Sequence, residues 1–156
     1  MNIIIAPPER AEECWAVRNQ AIRYGCKNSY SDTVIKAWTS DQMPDGFRNL
    51  MTKDFFFIGQ DDAGKIIATA FLEMSTNSLK AFYVLPEFQG KGIGTILLSA
   101  LLAKAKASGM KYLVLSSTPN ARFFYENRGF VLIGQKAYTS SVTGTDLLCF
   151  DMHMTL

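Results

Sequence analysis

The sequence predicts a mixed α/β fold: one mostly antiparallel sheet of six to seven strands, flanked by about four helices. Three observations carry this. Short apolar runs bounded by turn residues recur along the chain, as strands do. Two long stretches place apolar residues at three- and four-residue spacing, as helices that cover a sheet do. The second of these stands between two strand-like runs, which marks a strand–helix–strand crossover, while the strands before it are joined by turns short enough only for hairpins.

Residues 2–6 are a short apolar first strand. Residues 9–23 form a helix whose stripe is Ala11, Cys14, Trp15, Arg18, Ala21 and Ile22. Arg18 is the odd member of that stripe; it snorkels from the edge, pairs with a carboxylate or contacts a ligand. Residues 31–38 form a second helix with Ser31 or Asp32 as N-cap, and Phe47 to Met51 one more helical turn. Phe55 to Gly59 is a strand, Asp61-Asp62-Ala63-Gly64 a hairpin turn, and Lys65 to Met74 the next strand. A turn at Ser75 to Ser78 leads into a third strand, Leu79 to Leu85, ended by Pro86. The strongest helix follows, with Ile93, Ile96, Leu97, Ala100, Leu101 and Lys104 on one side and Gly109 as its stop. Tyr112 to Leu115 is a continuous apolar run, as in a buried strand. Thr118-Pro119 reads as N-cap and first helical residue, with Asn120 to Arg128 a short helix closed by Gly129. Phe130 opens another strand, and the last one alternates through Leu148, Phe150, Met152 and Met154.

A chain of 156 residues with 48% hydrophobic and 19% charged residues suits a single domain spanning 1–156. A net charge of +2, with no basic run, argues against nucleic acid as a partner. No apolar stretch approaches the ~20 residues of a membrane span, and the N-terminus lacks the pattern of a signal peptide. Cys14, Cys26 and Cys149 show no metal or redox spacing. The expectation is a reduced, cytoplasmic protein without a metal site.

The most informative segment is Gln89-Gly90-Lys91-Gly92-Ile93-Gly94. Three glycines in five residues let the backbone approach a ligand and expose several N–H groups on one side. Lys91 adds charge, and the following helix adds the positive end of its dipole. Such a cradle suits a phosphate or pyrophosphate. Its spacing fits neither a dinucleotide-binding loop nor a Walker A loop.

With its context, this segment resembles the GNAT superfamily of acyl-CoA-dependent N-acyltransferases. The resemblance lies in Tyr83-Val84-x-Pro86, then Gln89-Gly90-x-Gly92-Ile93-Gly94 and a leucine-rich helix, then Asn120-Ala121-x-x-Phe124-Tyr125-x-x-x-Gly129-Phe130. It implies a GNAT-like acyl-CoA acyltransferase fold in which the strand 79–85 splays from the strand 111–117. The pantetheine arm of acetyl-CoA would lie in that gap against the backbone of Phe82, Tyr83 and Val84. The pyrophosphate would sit on the amides of Gln89, Gly90, Lys91, Gly92, Ile93, Gly94 and Thr95. Asn120 would contact the cofactor arm, and Tyr125 would point at the thioester sulfur and protonate the leaving thiolate. By pattern alone, Tyr125 reads first as a packed aromatic beside Phe123 and Phe124, and it is the resemblance that makes it the general-acid candidate.

The family's acidic residue near the start of the strand 79–85 has no counterpart, since Asn77, Ser78, Leu79 and Lys80 stand there. Glu73 is the nearest carboxylate and the candidate base, its alternatives being a solvated strand-end residue and a water relay. Tyr30 and Trp38 fall in the region that walls the acceptor pocket in the family. His153 reads as structural or surface. The expected activity is transfer of an acetyl group from acetyl-CoA to a primary amine of a small molecule or peptide, by direct attack in a ternary complex, in a monomer or homodimer. The alternative is a non-catalytic acyl-CoA-binding sensor or interaction domain.

Overall fold

The computed structural model describes residues 1–139, 144 and 146–156. Its elements are β1 (Asn2–Ile5), α1 (Ala11–Gly25), α2 (Asp32–Trp38), α3 (Asp45–Leu50), β2 (Phe55–Gln60), β3 (Ile66–Glu73), β4 (Ser78–Val84), α4 (Ile93–Ala107), β5 (Tyr112–Ser117), α5 (Arg122–Glu126), β6 (Val131–Thr139) and β7 (Asp146–Thr155). The strands form one sheet in the order β1-β2-β3-β4-β5-β7-β6. Only β4 and β5 run parallel, joined by the α4 crossover; the other pairings are antiparallel.

Both faces of the sheet are covered. On one, Leu97, Leu98, Leu101 and Ala105 of α4 pack on Phe57, Ala68, Ala70, Leu72 and Leu113. On the other, Ala11, Cys14 and Val17 of α1 pack on Phe56, Ile58, Ile67 and Phe71. β3 therefore has no solvent side, and Ile66 to Leu72 are all buried. That is why its sequence shows a near-continuous apolar run instead of alternation. Each fully buried leucine contributes roughly 1.5–3 kcal/mol.

Local chemistry sets the ends. Ser31 caps α2 by accepting from Val34 N–H at 3.2 Å. The expected helix 120–128 is shorter: Pro119–Ala121 winds as a 3-10 turn and α5 covers only Arg122–Glu126. Its exit tightens too, with Arg128 N–H donating to Tyr125 O and Gly129 N–H to Glu126 O, each three residues back.

Two features open the sheet in its middle. β4 and β5 pair in register only at Ser78 and Val114, where Val114 N–H donates to Asn77 O at 2.9 Å. Further along, β4 carries an extra residue: Lys80 faces Phe71 and Tyr83 faces Thr69, so two residues oppose one. Ala81 in this bulge has φ +50°, a left-handed conformation unusual for a residue with a Cβ. Thr69 Oγ1 donates to the Ala81 carbonyl at 2.7 Å and holds it there. Beyond the bulge the strands diverge.

Candidate active site

The gap between β4 and β5 opens into a cleft of roughly 350 Å³. One wall is β4 from Phe82 to Val84. Leu85 N–H donates back to Ile67 O at 2.9 Å, so by strand alternation the polar groups of Val84 and Phe82 point the other way, into the gap. Gln89 Nε2 caps the Val84 carbonyl at 3.2 Å, leaving the N–H groups for a ligand.

The floor is the glycine loop and the start of α4. Gly90 and Gly92 have φ of +73° and +80°, values that favour glycine and turn the loop into the helix. Gly92 is the N-cap and supplies no capping side chain, so the first amides of a 15-residue helix stay open towards the cleft. Arg128 stands over them. Its Nε and Nη2 donate to Thr95 Oγ1 at 3.0 and 2.6 Å, Nη1 donates to Phe124 O at 2.9 Å, and the guanidinium lies 3.8 Å from the Phe124 ring centroid. The charge is pinned on the cleft wall beside the amides, an arrangement suited to a phosphate group.

Tyr125 is buried within an aromatic cluster, 5.2 Å from Phe124, 5.7 Å from Phe130 and 6.0 Å from Phe82 between ring centroids, yet it also lines the cleft. Tyr125 is thus packed in the core and borders the cleft at the same time. Burial raises its hydroxyl well above the ordinary tyrosine range, so near neutral pH it is a proton donor. Asn120 Oδ1 accepts from Cys26 Sγ at 3.3 Å, which fixes the amide against the α1 end. Cys26 lines the cleft as well, but burial pushes its thiol up to about 11, leaving almost no thiolate at neutral pH.

A second cavity of roughly 680 Å³ lies on the α1 face of the sheet and shares Tyr83 and Thr118 with the cleft. Tyr30 and Trp38 stand in its wall, packed edge to face at 5.7 Å. Tyr30 Oη donates to Leu148 O at 2.7 Å. Asp151 is the carboxylate of this wall among the described residues; it accepts from Ser116 Oγ at 2.7 Å and lies 3.7 Å from Lys136 Nζ.

Of the residues expected at the cofactor, only Lys91 stands outside the cleft wall; its ammonium lies over the Phe88 ring at 5.4 Å. Glu73 lines neither cavity. It ends β3, and Lys80 Nζ sits against its carboxylate, which draws its pKa below the usual range. A carboxylate held by a lysine is a poor base, and the structure does not bring it to Tyr125. Sequence reasoning missed Arg128, one residue before the recognised Gly129. It also missed Asp151 and Lys136, which have no local signal because β5, β6 and β7 bring them together.

Among the described residues no helix is long and apolar enough to cross a membrane. No curated protein sequence matches the chain. The fold is that of many solved N-acetyltransferase structures. A GCN5-related N-acetyltransferase from Rhodopseudomonas palustris superposes with a TM-score of 0.90 at 24% identity, covering 99% of this chain and 95% of that one. The PaiA N-acetyltransferase from Thermoplasma acidophilum, in complex with coenzyme A, gives 0.74 at 21% identity over 99% and 98% of the two chains. An aminoglycoside 6'-N-acetyltransferase complexed with coenzyme A gives 0.67 at 14% identity over 99% and 97%. The sequence model of the acetyltransferase (GNAT) domain matches residues 26–155. That match takes in the glycine loop, the splayed strands and the Asn120–Tyr125 segment, and it decides for an enzyme over a non-catalytic binding domain: the chain belongs to the GNAT acetyltransferase family and is an acyl-CoA-dependent N-acyltransferase.

Proposed function

We propose that the protein transfers an acetyl group from acetyl-CoA to a primary amine by direct attack within a ternary complex. The observation that carries this is the meeting of two cavities at Tyr83 and Thr118 across the opened sheet. Acetyl-CoA enters from the cleft, with its pyrophosphate on the α4 amides and Arg128. Its pantetheine arm pairs with the free N–H groups of Phe82 and Val84, and Asn120 steadies the arm. The acceptor enters from the second cavity, past Tyr30 and Trp38.

Aminolysis of a thioester needs placement, a neutral amine and relief of the developing charges. Making a lysine-like amine neutral at pH 7 costs on the order of 4–5 kcal/mol. Water in the second cavity, beside Asp151, takes that proton; Glu73 has no part in it. The amine then attacks the thioester carbon, a backbone N–H of β4 stabilises the oxyanion, and the carbon–sulfur bond breaks. Tyr125 gives its proton to the departing thiolate, and the second amine proton, released through water as the amide forms, restores the Tyr125 hydroxyl. Cys26 is the thiol nearest to serving as an acyl carrier, and its protonated state supports direct transfer without a covalent intermediate.

The test is release of free thiol from acetyl-CoA across a panel of primary amines. Amine-dependent thiol release with one N-acetylated product per thiol is expected. Tight coenzyme A binding with no turnover on any amine would sink the reading.

A further inference from the structure

The charges of the second cavity indicate what the acceptor carries beside its amine; this inference rests on the acetyl-transfer reading. Three cations line that cavity, Arg18, Lys80 and Lys136. Lys80 is paired with Glu73 and Lys136 with Asp151. Among the described residues Arg18 has no such pair. Its guanidinium lies on the buried side of α1, and the residue is only 9% exposed.

Among the described residues, the acceptors that hold Arg18 are neutral. Nη1 donates to Asn19 Oδ1 at 2.7 Å and to the Trp38 carbonyl at 3.0 Å, and the Tyr83 hydroxyl lies near enough to interact with it electrostatically. The ring of Trp15 lies 4.2 Å from the guanidinium carbon. Such partners fix the side chain but do not cancel its charge. An arginine stays protonated even when buried, so a lone buried guanidinium is a standing electrostatic cost that an anion would relieve. Tyr83 borders both cavities, which puts Arg18 beside their junction. With both lysines neutralised, one positive charge is left over, and a single carboxylate matches it where a doubly charged phosphate would not. The rest of the wall includes Trp38, Ile133, Leu147 and Met152.

We propose that Arg18 is the carboxylate receptor of the acceptor cavity, and that the acceptor is an amino acid with an apolar side chain, acetylated on its amine. The amino acid carboxylate takes the guanidinium edge that protein acceptors leave open, while its amine faces the thioester and its side chain fills the apolar wall.

The experiment compares kcat/KM for amino acids and their decarboxylated partners, phenylalanine against phenethylamine and leucine against isoamylamine. The wild-type protein should favour the carboxylated member by about 10- to 100-fold, the usual value of a charge-assisted pair. That ratio should fall towards one in Arg18→Gln and recover in part in Arg18→Lys. A role confined to holding α1 against α2 would change both amines alike and leave the ratio in place. Should Arg18→Gln not fold, hydrocinnamate decides with the wild-type protein. It should compete with the amine more strongly than its neutral alcohol and than the phosphonic acid analogue of phenylalanine. A wild-type ratio near one, or tighter binding of the alcohol or the phosphonate, overturns the proposal. If decarboxylated amines turn over and amino acids do not, acetyl transfer stands and the Arg18 assignment falls. If no amine turns over, transfer fails, and hydrocinnamate binding by calorimetry still decides what Arg18 receives.

Discussion

The cleft beneath the glycine loop and the cavity on the α1 face share Tyr83 and Thr118 but are built in different ways. Most of the cleft comes from two stretches of chain, 82–95 and 118–128, with a few residues from the end of α1. Much of its recognition surface is backbone: N–H groups of a splayed strand and of a helix start. The second cavity draws most of its wall from six elements, with one residue each from α1 and α2 and several each from β4, β5, β6 and β7. A ligand portion common to a whole family can be held by main-chain groups and a short motif. A ligand specific to one member needs side chains, and those can come from any strand that reaches the site.

The sharpest way to break this comparison is at Tyr125, the side chain proposed to act as a proton donor inside the backbone-built half. Tyr125→Phe keeps the aromatic packing and removes the proton donor. It should lower kcat by about 100-fold or more, in the range of a general acid, with coenzyme A affinity changed only a few-fold. Steady-state kinetics beside calorimetry separates the two, and equal turnover would return Tyr125 to packing alone.

A smaller effect is expected at Arg128. Arg128→Ala removes the one cation pinned beside the α4 amides. Coenzyme A binding should weaken by about 10- to 100-fold, whereas binding of dephosphorylated pantetheine should change little. Equal losses for both ligands would mean that Arg128 acts by holding Thr95 and Phe124 in place.

The smallest effect tests Glu73, which lines neither cavity and pairs with Lys80. Lys80 lowers its pKa, so the pair adds stability above the ordinary carboxylate range and loses it as pH falls through that range. Glu73→Gln should cost at most ~1 kcal/mol at neutral pH, since Lys80 is half exposed and the pair is screened. The difference from wild type should close below about pH 4. Denaturant melts at several pH values measure it. A loss of turnover without a loss of stability would restore Glu73 as the base.

The legible part of the site follows the same division. Gly90, Gly92 and Asn120 were readable because spacing along the chain is what the geometry uses. Tyr30 and Trp38 were expected in an acceptor wall by resemblance, and the fold sets them in the wall of the second cavity. The Lys91 side chain is exposed and lies over the ring of Phe88, so its place at the loop is a matter of its backbone, which the loop spacing does carry. Arg18 was visible as a charge in an apolar stripe, but not the neutrality of its surroundings, which comes from Asn19, Trp38 and Tyr83 meeting around it.

The sequence by itself determined the crossover around α4, the glycine-rich loop that opens it and the family. Each is a matter of periodicity or spacing within a few tens of residues. Only the tertiary structure decided that β4 parts from β5 after one register pair, that Leu147, Cys149 and Asp151 of β7 wall a second cavity, and that Arg18 lies in it with no carboxylate partner among the described residues. Those outcomes depend on which strands are neighbours and on one extra residue at Ala81, and a bulge of that kind leaves no mark in composition or period.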